Sequence, residues 1–91
     1  MSNGPDKDKG EAFRKALEKA FPGCPVSARL EPAHINPEFS FPYKGKSRVV
    51  IIARSFFDDS PLELLLTGVD IAVASIQYSD SASVTVGSKE V

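Results

Sequence analysis

The apolar positions of the chain fall into blocks of different period. Between Asp8 and Phe21, apolar residues recur at helical spacing as Ala12, Phe13, Ala16, Leu17, Ala20 and Phe21, with Glu11, Arg14, Lys15, Glu18 and Lys19 filling the opposite face. This is the pattern of an amphipathic helix. Asp8 and Glu11 have capping-box spacing at its start, Glu11–Lys15 and Arg14–Glu18 are four apart, and Pro22-Gly23 ends it. From Val26 to Glu31 the period changes to two, with Val26, Ala28 and Leu30 alternating against Ser27, Arg29 and Glu31, which predicts a strand with one wet face that stops at Pro32. Val49 to Ala53 is an unbroken apolar run between Arg48 and Arg54, the mark of a strand covered on both faces or lying at the centre of a small sheet.

After Phe56 and Phe57 the run Asp58-Asp59-Ser60-Pro61-Leu62-Glu63 reads as an acidic turn and a helix start. Ser60 is placed to cap, Glu63 to reach back, and Pro61 to occupy the first helical position. The next stretch supports two readings. Leu62, Leu65, Leu66, Val69, Ala72, Val73 and Ile76 form one helical stripe to about Gln77, whereas Gly68 costs roughly 1 kcal/mol inside a helix and Val69, Ile71 and Val73 also alternate as a strand would. The continuous helix is the favoured reading. Tyr78 to Ser81 is then a turn and Ala82 to Val86 a last strand with Val84 and Val86 inward. Between the first two strands, Ala33 to Ser47 carries Pro37, Pro42 and Gly45 and is expected to be a long loop. The expectation is an α+β domain, a small mixed sheet with helices packed on it in the order αββαβ. The order becomes αββαββ if residues 69–78 form a strand.

Ninety-one residues suffice for one modest core, with residues 1–7 as a disordered tail and 8–91 as a single domain. The net charge of −1 supplies no global attraction to nucleic acid or membrane, although residues 1–48 hold nine Lys or Arg against six Asp or Glu and residues 49–91 hold two against six. One cysteine, Cys24, rules out an intramolecular disulfide. The first twenty residues are polar and charged, and no run approaches the length of a membrane span, so the expected location is cytoplasmic.

Candidate chemistry is sparse. Cys24 and His34 are the only thiol and imidazole, and nothing in the sequence around Cys24 activates it. Asp58 and Asp59 are neighbours whose side chains point apart, a poor acid/base pair. One Cys and one His cannot complete a metal site alone, though His34 could contribute to a site shared with a second protein. The expectation is a chain that is not an enzyme and holds no cofactor of its own. The segment before the central strand has more surface chemistry: Phe39, Phe41 and Tyr43 alternate, followed by Lys44, Lys46 and Arg48. In an extended chain these set aromatic rings beside cations, as single-stranded nucleic-acid binding requires. Alternatively, Phe39 and Phe41 hold the segment onto the core while the cations stay solvated. Ser79 to Ser88, rich in Ser and Thr, is a candidate edge strand through which the chain could pair with another copy.

Several stretches resemble the BolA family. Ala33-His34-Ile35-Asn36-Pro37 is similar to its His-containing loop, Arg48-Val49-Val50-Ile51-Ile52 to its central strand, and Phe56 with Ser60-Pro61-Leu62 to its strand-to-helix corner. The resemblance covers about residues 11–66 and implies a class II KH-like fold. The family's helix carries an Arg-His pair whose His ligates an iron–sulfur cluster shared with a monothiol glutaredoxin. Here Leu64, Leu65 and Leu66 stand in that region, so His34 is the ligand the resemblance carries over, with Cys24 as a distant substitute. The function expected is a non-catalytic, BolA-like domain that binds a protein partner in an accessory, regulatory or inhibitory role. Nucleic-acid binding and a shared iron–sulfur or metal site are the alternatives.

Overall fold

The structure is a computed structural model and describes residues 4–30 and 35–87. Its fold is α+β: helix α1 (Gly4–Ala20), strands β1 (Ser27–Arg29), β2 (Glu38–Tyr43) and β3 (Lys46–Ile52), helices α2 (Arg54–Asp59) and α3 (Leu62–Ser79), and strand β4 (Ser83–Val86). The four strands form one mixed sheet in the order β1-β2-β3-β4, antiparallel except for the parallel β3–β4 pair. Helices α1 and α3 pack against each other, and their apolar sides meet one face of the sheet in a single core.

Helix α1 follows its pattern. Phe13, Leu17 and Phe21 are buried, Ala16 and Ala20 pack at their margin, and Arg14 links Glu11 to Glu18 on the outer side. The helix begins at Gly4, so Asp8 lies inside it and caps nothing, and residues 4–7 are helical where a tail was expected. Gly23 ends the region with φ +84°, the left-handed conformation that glycine adopts at helix ends. Strand β1 is shorter than its alternation predicts, and Ala28 is exposed at this sheet edge.

Of the loop expected over residues 33–47, residues 33 and 34 lie outside the described residues, 35–37 are irregular, and 38–47 form a β-hairpin instead. Phe39 and Phe41 point inward from β2, which runs antiparallel to β3 from Glu38↔Ile51 to Tyr43↔Lys46. Lys44 and Gly45 join the two strands with φ of 55° and 76°, a two-residue turn with both central residues left-handed. Beside such a turn, Tyr43 and Lys46 form the hydrogen-bonded pair, so Pro42↔Ser47 is a non-bonded pair and the Pro42 nitrogen faces the β1 side. There β1 pairs only as far as Ser40, so the missing N–H of Pro42 takes no bond from the ladder. Strand β3 is interior to the sheet as expected but is covered on one face. Val50 and Ile52 are buried, while Val49 and Ile51 are half-buried on the open face.

The acidic turn is also corrected. Residues 54–59 form α2, with Phe57 buried, and Asp58 faces Arg54 one turn back. Ser60 is the C-cap of α2, its N–H donating to the Phe56 carbonyl at 3.1 Å. Pro61 is the residue before α3, and no side-chain bond caps that helix, so the Ser60–Glu63 box does not form. Helix α3 runs unbroken through Gly68, which excludes a strand over 69–78. A Cβ at Gly68 would come within 2.5 Å of Val86 Cγ1 and 3.5 Å of Phe13 Cε2. The glycine lets α3 approach β4 and α1, which outweighs its helix propensity. Val84 and Val86 point inward from β4, which is a sheet edge.

Candidate interaction surface

Alternate residues of the β2–β3 hairpin do share a face, but that face meets the helices. The Phe39 ring lies 4.9 Å from Phe13 and the Phe41 ring 4.9 Å from Phe21, and both phenylalanines are core residues. Neither ring is presented for stacking on a base. Tyr43 is half-buried, edge-on to Phe21 at 4.8 Å, and Lys44 Nζ stands 5.6 Å from its ring.

Arg48 is the largest correction to the candidate cations. Its position opposite Phe41 sends the side chain into the protein, where it is 0% exposed. Burying a guanidinium requires that its donors be met. Nε and Nη2 donate to the Tyr43 carbonyl at 3.2 and 3.1 Å, Nη1 donates to the Ser81 carbonyl at 3.0 Å, and Nη2 also reaches Asp80 Oδ1 at 2.8 Å. Tyr43 lies beside it, with the guanidinium carbon 5.4 Å from the ring centre. Lys46 Nζ donates to the other Asp80 oxygen at 3.0 Å. Hydrogen bonds from Arg48, then from Lys46, together with their charges, hold the Asp80 carboxyl below its ordinary range. Asp80 is also the left-handed residue that ends α3, at φ 55°. Arg48 and Lys46 therefore tie the β2–β3 hairpin to the α3–β4 corner, and the surface keeps Tyr43 in part, Lys44, and a Lys46 already paired.

Arg54 performs the same kind of work at the opposite end of β3. Its Nε donates to the Ile35 carbonyl at 3.0 Å and its Nη2 to the Leu30 carbonyl at 2.8 Å. His34 lies outside the described residues. Cys24 is half-buried and free of disulfide partners. Among the described residues no group of three His, Cys, Asp or Glu is placed to hold a metal. Leu64, Leu65 and Leu66 offer no donor where the resemblance would seek a second cluster ligand, so these residues do not fit a shared cluster.

Among the described residues, the large apolar side chains that are exposed lie on α3. With Leu65, Gly68, Val69, Ala72 and Ile76 committed to the core, Leu64, Ile71 and Tyr78 project outward at 48, 53 and 85% exposure, and Leu62 at 41%. Leu64, Ile71 and Tyr78 are spaced by seven, so they form one ridge along the helix, with Thr67 and Ala74 between them. The helix has a mean hydropathy of 1.2 over 18 residues, enough by length and composition alone to cross a membrane, and 28% of it is buried. The expectation that no run approaches a membrane span overlooked this surplus. One sign was legible: three consecutive leucines, 64–66, cannot all face one core.

No family model, no curated protein and no solved structure matches the chain.

Proposed function

We propose that this protein is a non-catalytic binding domain that acts through protein–protein contact, with the outer ridge of α3 as its docking surface. The observation that carries this reading is the alignment of Leu64, Ile71 and Tyr78 on one exposed line of a helix whose other side is already satisfied. Contiguous exposed apolar patches larger than a few hundred Å² mark interaction sites. An exposed tyrosine among aliphatic residues is the composition of a binding hot spot. The resemblance to BolA proteins supports this reading only through the α+β fold it implies. Nucleic-acid binding is the weaker reading, because Phe39, Phe41 and Arg48 are in the interior and Lys46 is paired with Asp80.

The test compares the wild-type chain with Leu64→Ser/Ile71→Ser/Tyr78→Ser and with Lys44→Ala/Lys46→Ala, each tagged and incubated in extract with nuclease. A protein retained by the wild type and the lysine variant but lost with the ridge variant supports the reading. Retention unaffected by the ridge variant contradicts it.

A further inference from the structure

We infer that the occupant of the α3 ridge is a second copy of this chain, paired antiparallel through α3; this rests on the protein-binding reading above. The ridge alternates in size: Leu64, Ile71 and Tyr78 are large, while Thr67 and Ala74 between them are small, all on the exposed side of α3. In heptad terms the large residues are one seam position and the small ones the other. Antiparallel pairing about a twofold axis midway between Ile71 and Ala74 sets Ile71 against Ala74 of the second copy and Tyr78 against Thr67 of the second copy, large into small, while Leu64 falls opposite Ser81, just past the end of the helix. Parallel pairing sets large on large and small on small, leaving gaps at every second layer.

Charge favours the same direction. Helix α3 contains no Lys or Arg. Its start carries exposed Glu63, after exposed Asp59 and an Asp58 paired with Arg54 at 3.3 Å, with Lys9 donating to the Phe57 and Asp58 carbonyls, whereas its end carries Asp80 held by both Arg48 and Lys46, with exposed Lys44 on the adjoining hairpin turn. An antiparallel pair brings the acidic end of one copy to the basic end of the other, twice. A parallel pair gathers like ends together. The polar flank next to the ridge carries Glu63, Asp70 and Gln77, and antiparallel pairing sets Asp70 beside Gln77 of the second copy, a contact without like-charge repulsion. One helix face per copy makes an interface at the low end of the specific range, about 1,000 Å² in total, so the expected dissociation constant is on the order of micromolar.

The experiment is sedimentation velocity from micromolar to several hundred micromolar on the full chain, with Ile71→Glu beside it and circular dichroism to show that both are folded. Thiol cross-linking with a short bismaleimide follows, on Cys24→Ser/Ala74→Cys and Cys24→Ser/Thr67→Cys. In the antiparallel pair the two copies of position 74 lie about 9 Å apart and the two copies of position 67 about 18 Å apart, given about 1.5 Å rise per residue and helices about 8 Å apart. The expected result is a concentration-dependent dimer, weakened at least tenfold by Ile71→Glu, that cross-links at position 74 and not at 67. A dimer that survives Ile71→Glu, or that cross-links equally at both positions, overturns the pairing. A monomer throughout also overturns it. If a different protein is then lost from the extract with the ridge variant, the protein-binding reading stands without the self-pairing. If the monomer instead binds phosphatidylcholine vesicles through the ridge, both fail and the ridge belongs to a lipid surface.

Discussion

Replacing Arg48 by Ala separates a structural from a functional role for the candidate cations. The side chain is wholly buried and serves the Tyr43 carbonyl, the Ser81 carbonyl and Asp80. Asp80 is exposed and regains water when Arg48 is removed. The two carbonyls at the closed hairpin and corner are left with a lost partner, at about 1–3 kcal/mol for each acceptor that stays dry. The lost contact of the guanidinium with the Tyr43 ring adds to this. The total expected is about 3–5 kcal/mol, most of it from the two carbonyls. A chain of this length has a stability of about 5–14 kcal/mol at about 0.05–0.15 kcal/mol per residue, so the variant should retain its fold with a much lower urea midpoint. Urea unfolding followed by far-ultraviolet circular dichroism measures this directly, with an unchanged slope showing that the unfolded state is the same. Arg48→Lys should lose most of the same stability, because one ammonium cannot span three acceptors in different directions. A loss below about 1 kcal/mol for Arg48→Ala would show that the guanidinium is solvated and available to a ligand, and would refute its assignment as the tie between hairpin and helix.

Gly68→Ala improves intrinsic helix propensity by about 1 kcal/mol. Its new methyl group would meet Val86 Cγ1 at 2.5 Å, so the net effect expected in the same urea assay is a loss of about 1–2 kcal/mol, partly recovered when Val86→Ala is combined with it. Asp80 has its folded-state carboxyl lowered by Arg48 and Lys46, so its contribution is present above the ordinary carboxylate range and is lost as pH falls through that lowered value. Asp80→Asn should therefore reduce the midpoint at pH 7 and converge on wild type in strong acid. Lys44 is held at φ 55° in the two-residue turn, where asparagine is preferred; Lys44→Asn should raise stability by about 0.5–1 kcal/mol.

The two long helices and the last strand were legible because their apolar residues keep one period for long enough to decide it. Helix α1 and the buried line Leu65, Val69, Ala72 and Ile76 of α3 follow directly from spacing. Gly68 was ambiguous because its reason is tertiary: the clash it avoids is with Val86, eighteen positions away in sequence. Strand β2 was hidden by Pro37 and Pro42, which read as breakers until the short reach of β1 shows that Pro42 owes no bond on that side. Helix α2 has six residues, too few for a helical period to show, and it took the Ser60-Pro61 signal for itself as a C-cap. At the candidate site, the alternation of Phe39, Phe41 and Tyr43 was read correctly as one shared face, but sequence alone does not say whether that face meets solvent or helices. Arg48 shows the consequence. Its polarity suggested the surface, whereas its register with Phe41 places it inside. The α3 ridge is hard to see in the sequence because it carries no charge and a single aromatic, Tyr78, and a second apolar line on a helix that also supplies the core gives no separate period.

The central claim is that the outer ridge of α3 contacts protein. Replacing Tyr78 by the photo-crosslinking amino acid benzoylphenylalanine tests it at the most exposed ridge position, with the same residue at Lys44 on the hairpin tip as comparison. Irradiation in extract is expected to give a discrete protein adduct from position 78, a second copy of the chain included, and none from position 44. Adducts to nucleic acid from position 44, with position 78 silent, would contradict the account.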